Sequence, residues 1–152
     1  MSPTHLHIYH RFLPHWRLDG AVYFVTWRLE RDQQSLTVSE RDQLAEILRK
    51  FDGGRYDLFA YVVMNDHVHA LVQPHAAFPL ERVIHSWKSY STWLLQRGFR
   101  HGRIWQREYY DRIIRTESDF EEKVCYILGN PARRWPGIEG YPWAWCREDG
   151  VG

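Results

Sequence analysis

A chain of 152 residues, 44% hydrophobic and 26% charged, has the size and balance of one folded domain and excludes a disordered or fibrous chain. Cys125 and Cys146 are the only cysteines, which leaves no disulfide framework and no zinc knuckle. No apolar run reaches membrane-spanning length and the start is not a signal peptide, so the cytoplasm is the expected location.

In chain order, residues 1–19 carry Pro3, Pro14 and a run of histidines and are expected to form an irregular arm. Residues 21–27 (AVYFVTW) are β-branched and aromatic, which predicts a strand. Thr37-x-x-Glu40 is a capping box. Leu44, Ile47, Leu48 and Phe51 follow at helical spacing, and Gly53-Gly54 ends the helix. Strands are predicted over 56–64 and 67–73, separated by the turn residues Asn65-Asp66. Pro79 opens a second helix with the stripe Leu80, Val83, Ile84, Trp87 and Leu94, stopped at Gly98. Residues 105–114 predict a fourth strand interrupted near Glu108. Thr116, with Asp119 three residues on, caps a third helix that is expected to end at Gly129-Asn130-Pro131.

The order β-α-β-β-α-β, then α, is the split βαβ pattern of an α+β, ferredoxin-like sandwich. It predicts one antiparallel sheet, two helices on one face, and the other face free for the third helix. The whole chain reads as a single domain, with residues 136–152 as a C-terminal tail.

Two patterns bear chemistry. Side chains alternate across a strand, so Val68, Ala70 and Val72 share an apolar face while His67 and His69 share the other with Leu71 and Gln73. The two imidazoles, roughly 6–7 Å apart at their α carbons, are close enough to grip one metal ion. A lone histidine in a strand is more often a satisfied structural residue, and two ligands do not make a site. On the third helix, with Phe120 at zero and a step of about 100°, Val124 and Ile127 fall on the same stripe. Tyr126 falls near 240° by the same count, away from that stripe, with Asn130 one turn later on nearly its own face. A surface tyrosine usually does nothing catalytic, and an asparagine before proline is usually a helix stop; Pro131 makes Asn130 an expected cap.

These residues resemble a known family. His67-Val68-His69 resembles the His-hydrophobic-His motif of the HUH nucleases, and Tyr126-Ile-Leu-Gly-Asn130-Pro131 resembles the tyrosine motif of the single-tyrosine, IS200-like transposases. Leu13-Pro14-His15-Trp16, Tyr23-Phe24-Val25-Thr26, Trp105-Gln106-Arg107 and Tyr141-Pro142-Trp143 look like the REP-associated branch of that family, the RAYT proteins. The resemblance runs from about residue 11 to 145. It implies an HUH nuclease core with an additional C-terminal helix carrying the tyrosine. It also implies an enzyme that cuts and rejoins single-stranded DNA at REP-like hairpins through a 5′-phosphotyrosine. The resemblance carries the metal-ligand role to His67, His69 and Asn130, the nucleophile role to Tyr126, and Mg2+ or Mn2+ as cofactor. It is compatible with a monomer or a homodimer. Insertion-sequence members commonly carry Gln where this chain has Asn130, one methylene shorter, so ligation through water is as open as direct ligation. The segment 132–136 (ARRWP) departs from the family's usual small, apolar continuation.

The chemistry fits that picture, because a phenol with a pKa of about 10 is a weak nucleophile at neutral pH and gains from a cation on the phosphate. A net charge of +1 says little, but eight Lys and Arg lie between Arg82 and Arg115 against Glu108 and Asp111. Basic residues interleaved with aromatics are how single strands are gripped, although a solvated basic face reads the same way. Lys88, Arg100, Arg103, Arg107 and Arg112 are the candidate DNA contacts of this stretch. The likeness of the arm to the branch adds Arg11, His15, Trp16 and Arg17 as a clamp on a hairpin stem. Two other readings compete: a non-catalytic single-stranded nucleic-acid-binding module on the same fold, and a metal-dependent hydrolase in which water attacks.

Overall fold

Alternation along three strands builds a sheet with a different helical layer on each face. The structure, a computed structural model, describes residues 20–148; Arg11, His15, Trp16 and Arg17 lie outside the described residues. The strands are β1 (Val22–Arg28), β2 (Tyr56–Val63), β3 (His67–Pro74), β4 (Tyr110–Ile114) and β5 (Ala144–Cys146). The helices are α1 (Val38–Lys50), α2 (Leu80–Gln96) and α3 (Glu117–Arg134). The sheet is antiparallel throughout, in the order β4-β1-β3-β2-β5. Its first four strands follow the expected α+β, ferredoxin-like order.

On one face Val25, Trp27, Tyr61, Val63, Val68, Ala70 and Val72 pack beneath α1 and α2, which bring Leu44, Ile47, Leu48, Val83, Ile84 and Trp87. On the other, Val22, Phe24, Phe59, Ala60, Val62 and Leu71 meet Phe120, Val124 and Ile127 of α3. A bulge between Leu58 and Ala60 lets β2 give Phe59 and Ala60 to the same side. The capping residues act as the sequence predicts: Thr37 Oγ1 accepts from Glu40 N–H at 3.1 Å and Glu40 Oε1 accepts from Thr37 N–H at 3.0 Å. Thr116 Oγ1 accepts from Asp119 N–H at 3.0 Å.

Three expectations change. The fourth strand is confined to Tyr110–Ile114. Trp105 forms only an isolated bridge to Leu29, because its ring is drawn into the core under α2, where Nε1 donates to Ser91 Oγ at 2.8 Å. Helix α3 does not stop at Asn130: it continues to Arg134 with Pro131 inside it. A proline forfeits one N–H and keeps a helical φ, and burial of Asn130 and Pro131 holds the last turn against the molecule. The region read as a tail contributes β5, which pairs with the free edge of β2, and Tyr141 Oη donates to Val63 C=O at 2.7 Å. No helix among the described residues is long and apolar enough to cross a membrane.

Candidate active site

Register decides what surrounds the two histidines. In the β1–β3 pairing, Thr26 lies opposite His69 and Arg28 opposite His67. The His69 ring is 4% exposed, its Nδ1 is 2.7 Å from Thr26 Oγ1, and its Nε2 is buried without a hydrogen-bond partner. His67 Nδ1 is 2.7 Å from Asp66 Oδ1; a carboxylate only accepts, so this nitrogen carries the proton and Nε2 holds the lone pair. The rings are 4.7 Å apart between centroids. Burial pushes His69 down to about 3, helped by the positive fields of His67, Arg28 and Arg133. Burial lowers His67 too, against the opposing pull of Asp66. Both imidazoles are therefore neutral at neutral pH, each with an oxygen against its Nδ1.

Helix α3 closes the site. Docking through Phe120, Val124 and Ile127 turns Tyr126 to the edge of the sheet face, where it is 42% exposed. Its ring lies 5.4 Å from His69 and 5.9 Å from Phe24, edge-on to both, and Phe24 stacks on His69 at 5.3 Å. Asn130, 7% exposed, follows one turn later in the body of the helix, which corrects its reading as a cap. His67, His69 and Tyr126 thus converge within a single chain. Among the described residues no group of three His, Cys, Asp or Glu comes together.

The basic candidates do not form one stripe. Arg100 is corrected outright: its side chain is fully buried against Glu40 and donates to Glu40, Gln33, Gln34 C=O and Ser35 C=O. It therefore has no N–H to offer DNA. The Lys88 ammonium donates to the carbonyls of Gln106 and Arg107 at 2.9 and 3.1 Å, which tethers that loop to α2 and leaves one of its three N–H groups over. Arg103 is exposed and 3.7 Å from Glu30; Arg107 is exposed. Gln106 N–H donates to Arg28 C=O, which brings this loop beside the β1 residue that faces His67. Arg112 pairs with Phe24 in the β1–β4 register, on the histidine face, and bonds Asp119 at 3.3 Å. Tyr110, 54% exposed, stands in the same cross-sheet row as Thr26 and His69.

In the sequence Thr26 and Phe24 stand only as part of a family-like motif and Asp66 only as a turn residue, with no role beside the histidines. Asp66 sits next to His67, but its position in a turn hid it; Thr26 and Phe24 reach His69 only through strand pairing. A groove of about 430 Å³ between α1 and α2, lined by Ile47, Lys50, Tyr90 and Leu94 among others, lies on the reverse of the sheet and shares no residue with the site.

The chain is thus an antiparallel βαββαβ sheet bearing a histidine pair, with a tyrosine presented from an added helix. The family described as "Transposase IS200 like" matches residues 18–128, and the chain belongs to that family. The match includes His67, His69 and Tyr126 and ends before Asn130. No curated protein matches the chain. Among solved structures it is similar to a REP-associated tyrosine transposase bound to a REP hairpin, with a TM-score of 0.69, 21% identity, and coverage of 83% of this chain and 76% of that one. It is also similar to a Deinococcus radiodurans R1 protein named as a candidate transposase, with a TM-score of 0.53, 22% identity, and coverage of 67% and 85%. At these identities the likeness speaks to the fold.

Proposed function

We propose that the protein is a REP-associated, single-tyrosine transposase that cuts and rejoins single-stranded DNA at hairpins. The observation that carries this reading is a buried, partnerless Nε2 on His69 with the Tyr126 ring 5.4 Å away. A buried nitrogen left without a partner calls for a ligand.

A divalent ion fits these donors: both Nδ1 atoms are engaged and both rings are neutral, so His67 and His69 would hold it through Nε2, with Asn130 completing the set directly or through water. Imidazole favours Mn2+ over Mg2+. When bound, the ion supplies positive charge on the oxygens of the scissile phosphate. Thr26 and Asp66 keep the rings oriented, and Phe24 keeps water from one face of His69. The Tyr126 oxygen attacks phosphorus, an O–P bond forms, and the bond from phosphorus to the 3′-oxygen breaks. The phenol's proton passes through solvent to the departing 3′-oxygen, leaving a 5′-phosphotyrosine and a 3′-hydroxyl. Rejoining is the reverse, since the adduct conserves the phosphodiester energy.

The hairpin assignment rests on the solved relative bound to a REP hairpin and on the open surface around the site, where Arg28, Arg107, Arg112 and Tyr110 offer charge and a stacking ring. All three reacting side chains lie in one chain, so the reading needs no second subunit, and such DNA would be met in the cytoplasm. The test is incubation with hairpin-bearing single-stranded DNA and Mn2+, followed by a denaturing gel. An upshifted protein–DNA band is expected in wild type and none in Tyr126→Phe, with hairpin binding retained in both. Cleavage that persists in Tyr126→Phe without an adduct would move the protein to the hydrolases; binding with neither product would make it a binding module.

A further inference from the structure

Tyr126 is exposed over two-fifths of its surface, and Phe24 and His69 meet its ring only edge-on. Such a phenol would swing freely unless something covered a face. Because α3 runs through Pro131, Arg133 falls seven residues beyond Tyr126, within about 20° of two full turns, on the same side of the helix. Its guanidinium carbon lies 4.2 Å from the Tyr126 ring centroid, and its Nη2 donates to the Tyr126 carbonyl. A Cβ at residue 129 would stand 2.9 Å from Arg133 Nη1 and 3.9 Å from its Cζ, so a side chain there would push the guanidinium off its present place. A glycine inside a helix weakens it, and here it leaves the guanidinium that place.

We propose that Arg133 is a positioning residue that clamps the Tyr126 ring against the histidine pair, and that Gly129 is kept side-chain-free to admit it. The inference rests on the function proposed above and deepens it. The guanidinium suits this task better than an ammonium because it is planar, lies flat on a ring and still donates directionally to a carbonyl. Anchored to the helix's own backbone, it limits the swing of the phenol and brings a fixed positive charge to the point where a DNA phosphate must come in. The family match ends at residue 128, before Gly129 and Arg133.

Two measurements on the full chain test it. With 3-fluorotyrosine placed at position 126, the fluorine resonance is expected to shift and broaden in both Arg133→Met and Gly129→Ala relative to the unsubstituted background. An unchanged line in both would overturn the clamp, and this readout needs neither metal nor activity. In single-turnover adduct formation with the hairpin and Mn2+, Arg133→Met is expected to be slowed ~10- to 100-fold, the scale of a reacting group misplaced by about 1 Å. Arg133→Lys should recover part of that loss. Gly129→Ala should slow the reaction in the same direction while raising Tm, since alanine favours the helix; a merely structural role would not separate those signs. Wild-type adduct with undiminished rates in Arg133→Met and Gly129→Ala overturns the clamp alone. A shifted fluorine line with no wild-type adduct upholds the clamp and overturns the transposase reading.

Discussion

Arg100 and His69 are both buried polar groups, one on each side of the same sheet, and they are satisfied to opposite degrees. At the start of α1, all five N–H groups of Arg100 are taken by Glu40, Gln33, Gln34 and Ser35. Around it the aromatic core also pairs most of its polar atoms: Tyr56 Oη donates to Leu48 C=O, Trp87 Nε1 to Tyr56 Oη, and Trp105 Nε1 to Ser91 Oγ. Trp27 Nε1 and, on α1, Arg41 Nε are exceptions on that side. Across the sheet, His69 has one nitrogen held by Thr26 and the other buried with nothing to bond. The Arg100 cluster is closed on itself, whereas His69 keeps one ring nitrogen unbonded. A buried nitrogen without a partner, as on His69, costs stability, and the proposed function would account for it.

Substitutions on the closed side should act on stability, and those on the open side on the ligand. The largest effect is expected from Arg100→Met, which strands Glu40 in the interior and should cost about 3–5 kcal/mol in chemical denaturation. Its hairpin affinity, measured on the folded fraction, should keep the wild-type salt slope; a slope reduced by about one would return Arg100 to the DNA surface. On the open side, Thr26→Val removes the oxygen behind His69 and should weaken Mn2+ binding roughly 10- to 100-fold by calorimetry. An unchanged affinity would detach Thr26 from the site.

Acid sharpens the same contrast. Burial raises the Glu40 carboxyl, but the hydrogen bonds and charge of Arg100, together with Thr37 N–H, outweigh it and hold the group below its ordinary value of 4.5. The stability it contributes is complete above that ordinary value and is lost as pH falls through the lowered one. Wild type should lose stability steeply over that acid window, and Arg100→Met less so. The smallest effect is expected from Trp105→Phe, about 1 kcal/mol for one lost bond, because Ser91 Oγ keeps its bond to Lys88 C=O. Adduct formation should be untouched; a large fall in rate would tie the loop at Trp105 to the reaction.

Local chemistry made much of the fold legible: the cap at Thr37, the cap at Thr116, and the alternation that sends Val68, Ala70 and Val72 one way and His67 and His69 the other. The wheel over Phe120, Val124 and Ile127 likewise foretold which side of α3 docks. The errors share a cause. The local preference of Pro131 points to an early end of α3, whereas the helix runs on to Arg134, with Asn130 inside it and Arg133 in its last turn. The charge run from Arg82 to Arg115 was read as one surface, although the chain folds Arg100 into the interior and turns Lys88 onto a loop.

What the residues alone determined is the periodicity: which side chains share a face, where helices begin, and that two imidazoles point together from one strand. Only the tertiary structure decided which partner stands opposite each of them. Thr26 meets His69 through strand register, Tyr126 meets it through the docking of a helix nearly sixty residues away, and Arg100 finds Glu40 across a similar span. Local preferences are written in neighbouring residues, whereas burial and pairing between distant ones depend on how the layers close.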